Sequence, residues 1–186
     1  AVISPRVSKP HLCLRKAKKH VFSLDQLEES EFASAEEMRF LKEAVHSKQN
    51  ILISGGTSTG KTVLLRRLVE VCSPSERLVI LEEESEILWP HPHHLHLESG
   101  PGRLGQAVRE SLRLRPDRLI ISELRSSEAF EFLQAINTGH PGSMTSIHAS
   151  SPREALFRFE NLLMLTGYSF DDESLKRQIS GSIEII

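Results

Sequence analysis

Cysteine and aromatic residues are scarce in this sequence. Its 186 residues include two cysteines, Cys13 and Cys72, and aromatic side chains make up 5% of the chain. The two cysteines stand far apart and outside any spacing typical of zinc ligands, so the sequence argues against a zinc site and against a disulfide-stabilised secreted domain. Cysteine usage is therefore typical of a protein from a reducing cytosol.

Long apolar runs are also missing. No run reaches the roughly 18 residues that a membrane-spanning helix needs, and no secretory signal pattern opens the chain. The hydrophobic fraction of 39% and the charged fraction of 26% are typical of a soluble globular protein with one core. The chain begins with Ala1 rather than Met, which indicates a fragment of a longer protein.

Acidic residues are absent before Asp25, although the net charge of the whole chain is -2. The basic residues of this first segment are Arg6, Lys9, Arg15, Lys16, Lys18 and Lys19. Two interpretations of it remain: a solvated strand and linker, which we favour, and a patch that faces a partner or a membrane. The overall charge argues against nucleic-acid binding by the bulk of the chain.

The apolar periodicity changes near residue 50. Before it, residues 1–16 are typical of two short strands around a proline turn, and Ser23 is expected to cap a short helix over 24–30. Ser34 and Glu37 have the spacing of a capping box and predict a second helix. The apolar face of that helix consists of Met38, Leu41, Ala44 and Val45.

After residue 50, strand patterns alternate with helix patterns. The predicted strands are 51–54, 78–81, 94–97, 119–122 and 143–148, and the predicted helices are 61–72, 104–114, 126–136 and one that opens at 151–154 with Leu156, Phe159, Leu162 and Leu163 on one side. Apolar strands alternating with amphipathic helices predict an α/β fold with a mainly parallel sheet covered on both faces. Such sheets bind ligands at the carboxyl ends of their strands.

The first predicted strand of this region runs directly into GGTSTGKT, which satisfies the phosphate-loop pattern G-x-x-x-x-G-K-[ST] in full. The candidate phosphate-binding residues are Gly55, Gly56, Thr57, Ser58, Thr59, Gly60, Lys61 and Thr62. The glycines let successive backbone N–H groups point at a phosphate, and the dipole of the following helix adds to their field. Lys61 is expected to reach the β- and γ-phosphates, and the Thr62 hydroxyl to bind Mg²⁺.

Acidic residues follow two of the predicted strands. LEEESEI places Glu82, Glu83, Glu84 and Glu86 after one strand, and Glu123 follows another. If the first strand continued, Glu82, Glu84 and Glu86 would share one face and Glu83 would lie on the other. Carboxylates at such positions can hold Mg²⁺ or deprotonate an attacking water; the alternative for both groups is a solvated acidic turn.

Histidines cluster in two places. His140 and His148 flank one predicted strand, and His148 is a candidate catalytic residue, with a packed or capping histidine as the alternative. The second group consists of His91, His93, His94 and His96. No cysteine or paired carboxylate accompanies it, and two prolines favour an irregular solvated turn over a metal site. Trp89 and Phe157 are expected to fill core or interface space.

Taken in order, these motifs resemble those of the type II/type IV secretion ATPase superfamily, most closely the traffic ATPases of type IV secretion and conjugative transfer. The resemblance runs from CLRK through GGTSTGKT and LEEESEI to RPDRLIISELRSSEAFEFLQAINTGHPGSMTSIHA, and the last stretch is its most specific part. It implies a RecA-like ATPase domain preceded by an N-terminal domain, with ATP and Mg²⁺ as cofactors. It also implies a homo-hexameric ring with ATP at the cleft between the two domains.

The resemblance implies roles for individual motifs as well. Gly55–Thr62 match the Walker A motif, and Glu82–Glu86 match the Asp box, with Glu83 in place of its usual Asp and Glu84 in place of its Thr. Within that box we expect Glu82 and Glu86, rather than Glu83, to keep the family's function.

Further roles fall on the later motifs and on the N-terminal segment. Glu123 matches the Walker B glutamate, although Ser122 stands where the family commonly has Gly. His140 and His148 match the His box, with His148 expected near the γ-phosphate. Arg15 matches an arginine near the end of the family's N-terminal domain that reaches the nucleotide phosphates. The implied catalytic residues are thus Lys61, Glu82, Glu86, Glu123, His148 and Arg15, and the implied Mg²⁺ residues are Thr62 and Glu123.

The implied domain boundaries leave one domain incomplete. Residues 1–22 would be the end of the N-terminal domain and its linker, and residues 23–186 a RecA-like ATPase domain that stops short of the family's C-terminus. We expect such a fragment to form rings weakly or not at all and to have low activity alone.

The implied function is Mg-dependent ATP hydrolysis that powers type IV secretion, conjugative transfer or pilus assembly. The protein would be cytoplasmic and associated peripherally with other secretion components at the inner membrane. One alternative is a type II secretion or pilus motor ATPase; extension motors of that kind commonly carry a four-cysteine zinc insertion, which the cysteine count disfavours. Another is a nucleic-acid translocase with the same core, although direct nucleic-acid binding is not expected. A third is a scaffold that binds ATP with negligible turnover.

Overall fold

The computed structural model of the chain describes residues 32–85, 88–167 and 171–186, with only the backbone for Asp172. The predicted N-terminal strands, the predicted helix over 24–30, Arg15 and Glu86 lie outside these residues and stay predictions. Within the described part of the chain, no helix combines the length and the apolar character needed to cross a bilayer.

Strands and helices alternate from residue 51 onward. The helices are α1 (Ala35–His46), α2 (Lys61–Val71), α3 (Leu104–Ser111), α4 (Glu128–Asn137), α5 (Pro152–Met164) and α6 (Asp172–Ser180). The strands are β1 (Ile51–Gly55), β2 (Leu78–Glu82), β3 (His94–Glu98), β4 (Arg118–Ile121) and β5 (Met144–His148). The predicted α/β alternation is confirmed.

The five strands form one parallel sheet in the order β1-β5-β4-β2-β3. Because every strand runs in the same direction, all five carboxyl ends lie at one end of the sheet. The order separates β1 from β2 and β3 from β4, whereas β2 and β3, and β4 and β5, are neighbours. Helices α2, α3 and α4 lie in the connections from β1 to β2, from β3 to β4 and from β4 to β5. The loops after β1, β5, β4 and β2 are therefore neighbours in space.

Both faces of the sheet are covered, as the strand patterns predict. One face packs against α1 and α2, and its buried residues include Ile53, Leu65, Leu68 and Ile80. The opposite face packs against the four remaining helices, and its buried residues include Leu52, Leu81, Val108, Phe132, Phe159 and Leu175. Alternate residues of each strand supply the two faces, which is the period expected of a strand buried on both sides.

The start of α1 confirms the predicted capping box. The Ser34 hydroxyl accepts a hydrogen bond from the Glu37 backbone N–H at 3.2 Å, and the Glu37 carboxylate accepts one from the Ser34 backbone N–H at 2.7 Å. Met38, Ala44 and Val45 are buried on the predicted face. This geometry occupies backbone groups that helix ends otherwise leave without partners.

The structure departs from the sequence predictions at one predicted helix and adds one helix that was not predicted. The helix predicted over 104–114 is α-helical only to Ser111 and continues as a 3-10 turn, Leu112–Leu114, before Arg115 takes a left-handed conformation with φ 53°. Helix α6 was not predicted; Asp171 caps it by accepting from the Ser174 N–H at 2.9 Å. Trp89 is buried in the core as expected, and Phe157 is 62% exposed, so an interface is the expected place that stays a prediction for it.

A cluster of charged residues, Arg118, Glu76 and Lys48, lies at the amino end of the sheet; we call it the amino-end cluster. Arg118 and Glu76 are buried, and Lys48 is exposed. Arg118 opens β4, is 2% exposed, and donates two hydrogen bonds of 3.1 Å to the Glu76 carboxylate. Its remaining nitrogen donates to the Gly142 carbonyl at 3.2 Å, and the Lys48 amine lies 3.1 Å from Glu76. Burial alone would raise the pKa of Glu76, but these hydrogen bonds and charges together lower it below the usual value.

Candidate functional site

The phosphate loop connects β1 to α2 at the carboxyl end of the sheet. Gly60 precedes the helix with φ 95°, a conformation that side-chain-bearing residues rarely adopt. A Cβ atom added to Gly60 would lie 2.8 Å from the Phe32 ring, and one added to Gly55 would lie 2.5 Å from the Thr59 hydroxyl. The two glycines that the sequence pattern fixes are therefore the two that the loop geometry requires.

Lys61 is the first residue of α2, and its side chain folds back over the loop. Its Nζ atom donates hydrogen bonds to the carbonyls of Gly55 at 3.0 Å and Gly56 at 2.8 Å. Burial lowers the pKa of Lys61, while the nearby Glu123 carboxylate acts in the opposite direction and Arg125 in the same direction as burial. The amine is thus fixed at the mouth of the loop, where a phosphate would meet it.

From Lys61, a row of ionisable groups crosses the carboxyl ends of four neighbouring strands. The row consists of Lys61, His148, Glu123, Arg125 and Glu83, and we call it the carboxyl-end row. The Lys61 Nζ atom lies 3.3 Å from His148 Nδ1, and His148 Nε2 lies 2.9 Å from Glu123 Oε1. Arg125 is 2.6 Å from Glu123 Oε2 and 3.6 Å from Glu83 Oε2. The spatial order of the row follows the strand order β1-β5-β4-β2.

The partners of His148 assign its hydrogen atoms. A lysine ammonium can only donate, so Nδ1 accepts from Lys61 and Nε2 carries the hydrogen that it donates to Glu123. His148 therefore joins the residue that follows the phosphate loop to the predicted Walker B glutamate. The expected proximity of Lys61, His148 and Glu123 is what the structure has.

A pocket opens beside this row at the start of α2. It is lined by Thr62, Glu82, Glu83, Glu84, Leu104, Ser122, Glu123, Arg125 and Glu128. Thr62 brings a hydroxyl from α2 to the same pocket as carboxylates from the ends of β2 and β4. Hydroxyl, carboxylate and phosphate oxygens are the ligands that Mg²⁺ prefers, so the residues present fit a Mg-nucleotide bound at the phosphate loop.

Strand β2 ends at Glu82, so the condition for an alternation of the acids, a strand that continues through them, is not met. The Glu82 side chain is 1% exposed, and its Oε2 accepts from Trp89 Nε1 at 3.0 Å and lies 2.7 Å from His96 Nε2. Glu83 instead approaches Arg125 and accepts from the Gly102 N–H at 2.9 Å. The catalytic role predicted for Glu82 stays a prediction. In the structure its carboxylate contacts Trp89, in the segment before β3, and His96, within β3.

The histidines divide between the two ends of the sheet. His140 precedes β5, and its Nδ1 lies 3.1 Å from the Ala135 carbonyl. The length of β5, about 13 Å, separates it from His148 at the other end of the strand. The two histidines flank β5 as predicted, and His148 is the one at the carboxyl end of the sheet. His140 contacts the end of α4, as a capping side chain would.

The second histidine group is more ordered than the solvated turn that we expected. His91 is 3% exposed and its Nε2 lies 3.0 Å from the Ser73 carbonyl, while His94 and His96 are part of β3. Two prolines led the sequence interpretation to an exposed turn, but His91 packs against the loop after α2. In the segments that the structure describes, no three His, Cys, Asp or Glu side chains are placed to hold one metal ion.

Sequence reasoning missed Arg125 and the partners of Glu82. A signal for Arg125 was present, since it follows Glu123 by two residues and residues two apart in an extended chain share a face. Trp89 had been assigned only to packing, and its indole N–H gave no sequence signal of a buried carboxylate partner.

Comparisons with known proteins identify the family. A family model described as "Type II/IV secretion system protein" matches residues 3–186. The conjugal transfer protein TrbB of Rhizobium radiobacter is 35% identical over 165 residues, which cover 87% of this chain and 51% of that protein. The type IV secretion system protein VirB11 of Bartonella quintana is 35% identical over 153 residues, covering 78% of this chain and 42% of that protein. The chain thus spans about half the length of the curated relatives it matches.

Solved structures agree in fold. The VirB11 ATPase of the Brucella suis type IV secretion system, crystallised with sulphate, matches with a TM-score of 0.76 and 27% identity, over 92% of this chain and 59% of that one. The pilus retraction motor PilT with bound ADP matches with a TM-score of 0.71 and 19% identity, over 92% of this chain and 49% of that one, which shows the fold alone. The expected RecA-like fold is confirmed. This chain belongs to the type II/IV secretion system protein family.

Proposed function

We propose that this chain is the ATPase core of a type IV secretion or conjugal-transfer motor and that it hydrolyses Mg-ATP. The observation that supports this most directly is the continuous contact from Lys61 through His148 to Glu123 beside a complete phosphate loop. A loop that only bound nucleotide would not require a histidine and a carboxylate aligned behind its lysine. The relatives named for conjugal transfer and type IV secretion favour that process over type II secretion.

The loop and α2 would bind the phosphates of ATP. Backbone N–H groups of the loop and the amino terminus of α2 supply a positive field, and Lys61 adds a cation at the loop mouth. The sulphate found with the Brucella suis VirB11 ATPase is an anion of similar shape to phosphate and supports an anion site in this fold. When bound, Mg²⁺ would supply charge neutralisation for the phosphates, with Thr62 and Glu123 as the residues that would hold it.

Glu123 would orient and deprotonate the attacking water. Its side chain is 15% exposed, lines the pocket, and is held by His148 on one oxygen and by Arg125 on the other. A carboxylate fixed in this way keeps its lone pairs directed, which general-base catalysis requires. His148 contacts both the phosphate-loop lysine and the base, so it would report the presence of the γ-phosphate to Glu123.

The proposal also covers the assembly, the domain boundaries, and the roles of Arg15 and Glu86. We propose a homo-hexamer that works from the cytoplasmic side of the inner membrane with other secretion components. Residues 1–22 would belong to the end of an N-terminal domain, residues 23–186 to the RecA-like ATPase domain, and Arg15 would reach the phosphates from across the interdomain cleft. Glu86 would act with the other acids of the Asp box.

The test uses the full-length, assembled protein. Glu123→Gln is expected to retain ATP binding and to lower steady-state hydrolysis by about 100-fold or more, because the amide keeps the shape of the side chain without its basicity. Lys61→Ala serves as the control that loses binding as well. Full turnover by Glu123→Gln would remove Glu123 from the mechanism, and no turnover by the unaltered protein would favour a scaffold. Stimulation of hydrolysis by DNA would favour a nucleic-acid translocase.

A further inference from the structure

Arg125 lies between two carboxylates that occupy equivalent positions on neighbouring strand ends. In the parallel register of β2 and β4, Leu81 is opposite Ile121, and each of these two residues is followed two positions later by a glutamate, Glu83 or Glu123. Neighbouring strands are about 4.8 Å apart, so acids at the same level of the register approach each other. Arg125 contacts both, at 3.6 Å from Glu83 and 2.6 Å from Glu123.

The other oxygens of these two carboxylates are occupied by neighbours. Glu123 Oε1 lies 2.9 Å from His148, and Glu83 Oε1 accepts from the Gly102 N–H. Their side chains are 15% and 31% exposed, so the charges are only partly screened by water. Two like charges at this spacing oppose each other unless a cation separates them. The planar guanidinium fork of arginine can contact both at once, which a lysine amine does less well.

We propose that Arg125 is a positioning residue for Glu123. It holds the Glu123 carboxylate against His148 and neutralises the opposing charge of Glu83. The inference rests on the proposed function, in which Glu123 acts on the attacking water. Arg125 acts through Glu123 and Glu83, whereas phosphate binding is assigned to the phosphate loop.

Loss of the guanidinium would leave Glu83 and Glu123 to repel each other. Glu123 is the acid with an alternative direction, since its remaining partner His148 is a side chain, whereas Glu83 remains fixed to a backbone N–H. The Glu123 carboxylate would therefore turn away from its working position. A displacement of about 1 Å in a catalytic group can cost on the order of 100-fold in rate.

The experiment compares Arg125→Gln, Arg125→Lys, Glu83→Gln and the double variant Glu83→Gln with Arg125→Gln in the full-length, assembled protein. We expect Arg125→Gln to lower kcat by about 10- to 100-fold while KM for ATP changes by less than about twofold. Arg125→Lys keeps the charge, and its kcat should lie between that of the unaltered protein and that of Arg125→Gln. In the double variant the repulsion is gone, so kcat should recover by about threefold or more from the Arg125→Gln value.

The chain offers a closely matched control pair. Arg109 and Glu131 connect α3 to α4, with side-chain exposures of 56% and 15%, against 59% and 15% for Arg125 and Glu123. Arg109→Gln removes a surface arginine of the same exposure from a glutamate of the same exposure, away from the pocket. It is expected to keep kcat within about twofold of the unaltered protein.

Two results would overturn the inference: unaltered kcat in Arg125→Gln, or a double variant that is no faster than Arg125→Gln. A second measurement separates the failure of the inference from that of the proposed function. In nucleotide-free protein, Arg125→Gln should lower Tm by about 2 °C when residue 83 is Glu and by less than half of that in the Glu83→Gln background. Equal Tm losses in both backgrounds would refute the role of Arg125 between Glu83 and Glu123, even if the unaltered protein proved inactive. An inactive unaltered protein would refute only the proposed function.

Discussion

Each end of the parallel sheet carries a cluster of charged residues that contains an arginine, and the two arginines differ in exposure. At the amino end, Arg118 is 2% exposed, and its guanidinium contacts both oxygens of Glu76 and the Gly142 carbonyl. At the carboxyl end, Arg125 is 59% exposed and contacts two carboxylates that border a pocket. Arg118 is the first residue of β4, and Arg125 lies in the loop that follows the same strand.

The difference in exposure separates stabilising charges from reactive ones. A buried ion pair has lost its hydration, so the removal of one partner leaves an uncompensated charge in the interior. An exposed arginine keeps much of its hydration, and its loss has little effect on folding. The amino-end cluster therefore contributes to the stability of the sheet, whereas the carboxyl-end row leaves its charges accessible to a ligand.

Removal of the buried arginine is expected to have the largest effect. Arg118→Met keeps most of the side-chain volume but leaves Glu76, among the residues that the structure describes, with the half-exposed Lys48 as its cation partner. We expect the free energy of unfolding to fall by about 3–5 kcal/mol, measured by urea denaturation. Arg125→Met is the matched variant at the other end of β4 and should cost less than about 1 kcal/mol. Equal losses for the two variants would abolish the distinction between the two ends.

A second prediction compares the two histidines that flank β5. His148→Ala removes the contact between Lys61 and Glu123 and should lower kcat by about 100-fold, equivalent to about 2.7 kcal/mol in activation free energy. His140→Ala, at the amino end of the same strand, should keep kcat within about threefold, because its ring contacts only the end of α4 among the contacts described for it. ATP turnover of the full-length protein is the measurement. A larger loss in His140→Ala would show that the two ends are coupled through β5.

The convergence of Lys61, His148 and Glu123 could be predicted because each follows a strand. In a parallel sheet all strand ends of one kind lie together, so local motifs are sufficient to bring these residues to one region. The α/β alternation was predictable for the same reason, since buried strands and amphipathic helices have different periods. The sequence could not supply the order of the strands, which decides that His148 lies between Lys61 and Glu123.

Contacts across long stretches of chain were not predictable. Arg118 and Glu76 are separated by 42 residues, and nothing local to either residue indicates that both become buried. Glu82 illustrates a different cause: β2 ends at this residue, so the period of a strand does not determine the direction of the acids that follow. Its carboxylate is directed to Trp89 and His96 because the loop returns to the sheet there. Tertiary packing, rather than the two-residue period of a strand, determines the orientation of the Glu82 carboxylate.

The smallest expected effect concerns the pH dependence of stability at the amino end. Hydrogen bonds and charges from Arg118 and Lys48 lower the pKa of Glu76 in the folded state, below the value of about 4.5 that we take for the unfolded chain. The stabilisation by the ionised Glu76 is therefore fully present above about pH 4.5 and is lost as the pH falls through the folded-state pKa. The unfolded state binds more protons than the folded state in that window, so stability must decrease on acidification.

Glu76→Gln isolates this contribution, since it removes the titrating group and keeps the side-chain shape. Below about pH 4.5, the free energy of unfolding of the unaltered protein should decline more steeply than that of Glu76→Gln, by up to about 1.4 kcal/mol per pH unit. Urea denaturation at a series of pH values from 7 to 3 measures both slopes. Parallel curves would mean that Glu76 has the same pKa in both states, and the amino-end cluster would then stabilise the sheet through hydrogen bonding without a charge-dependent part.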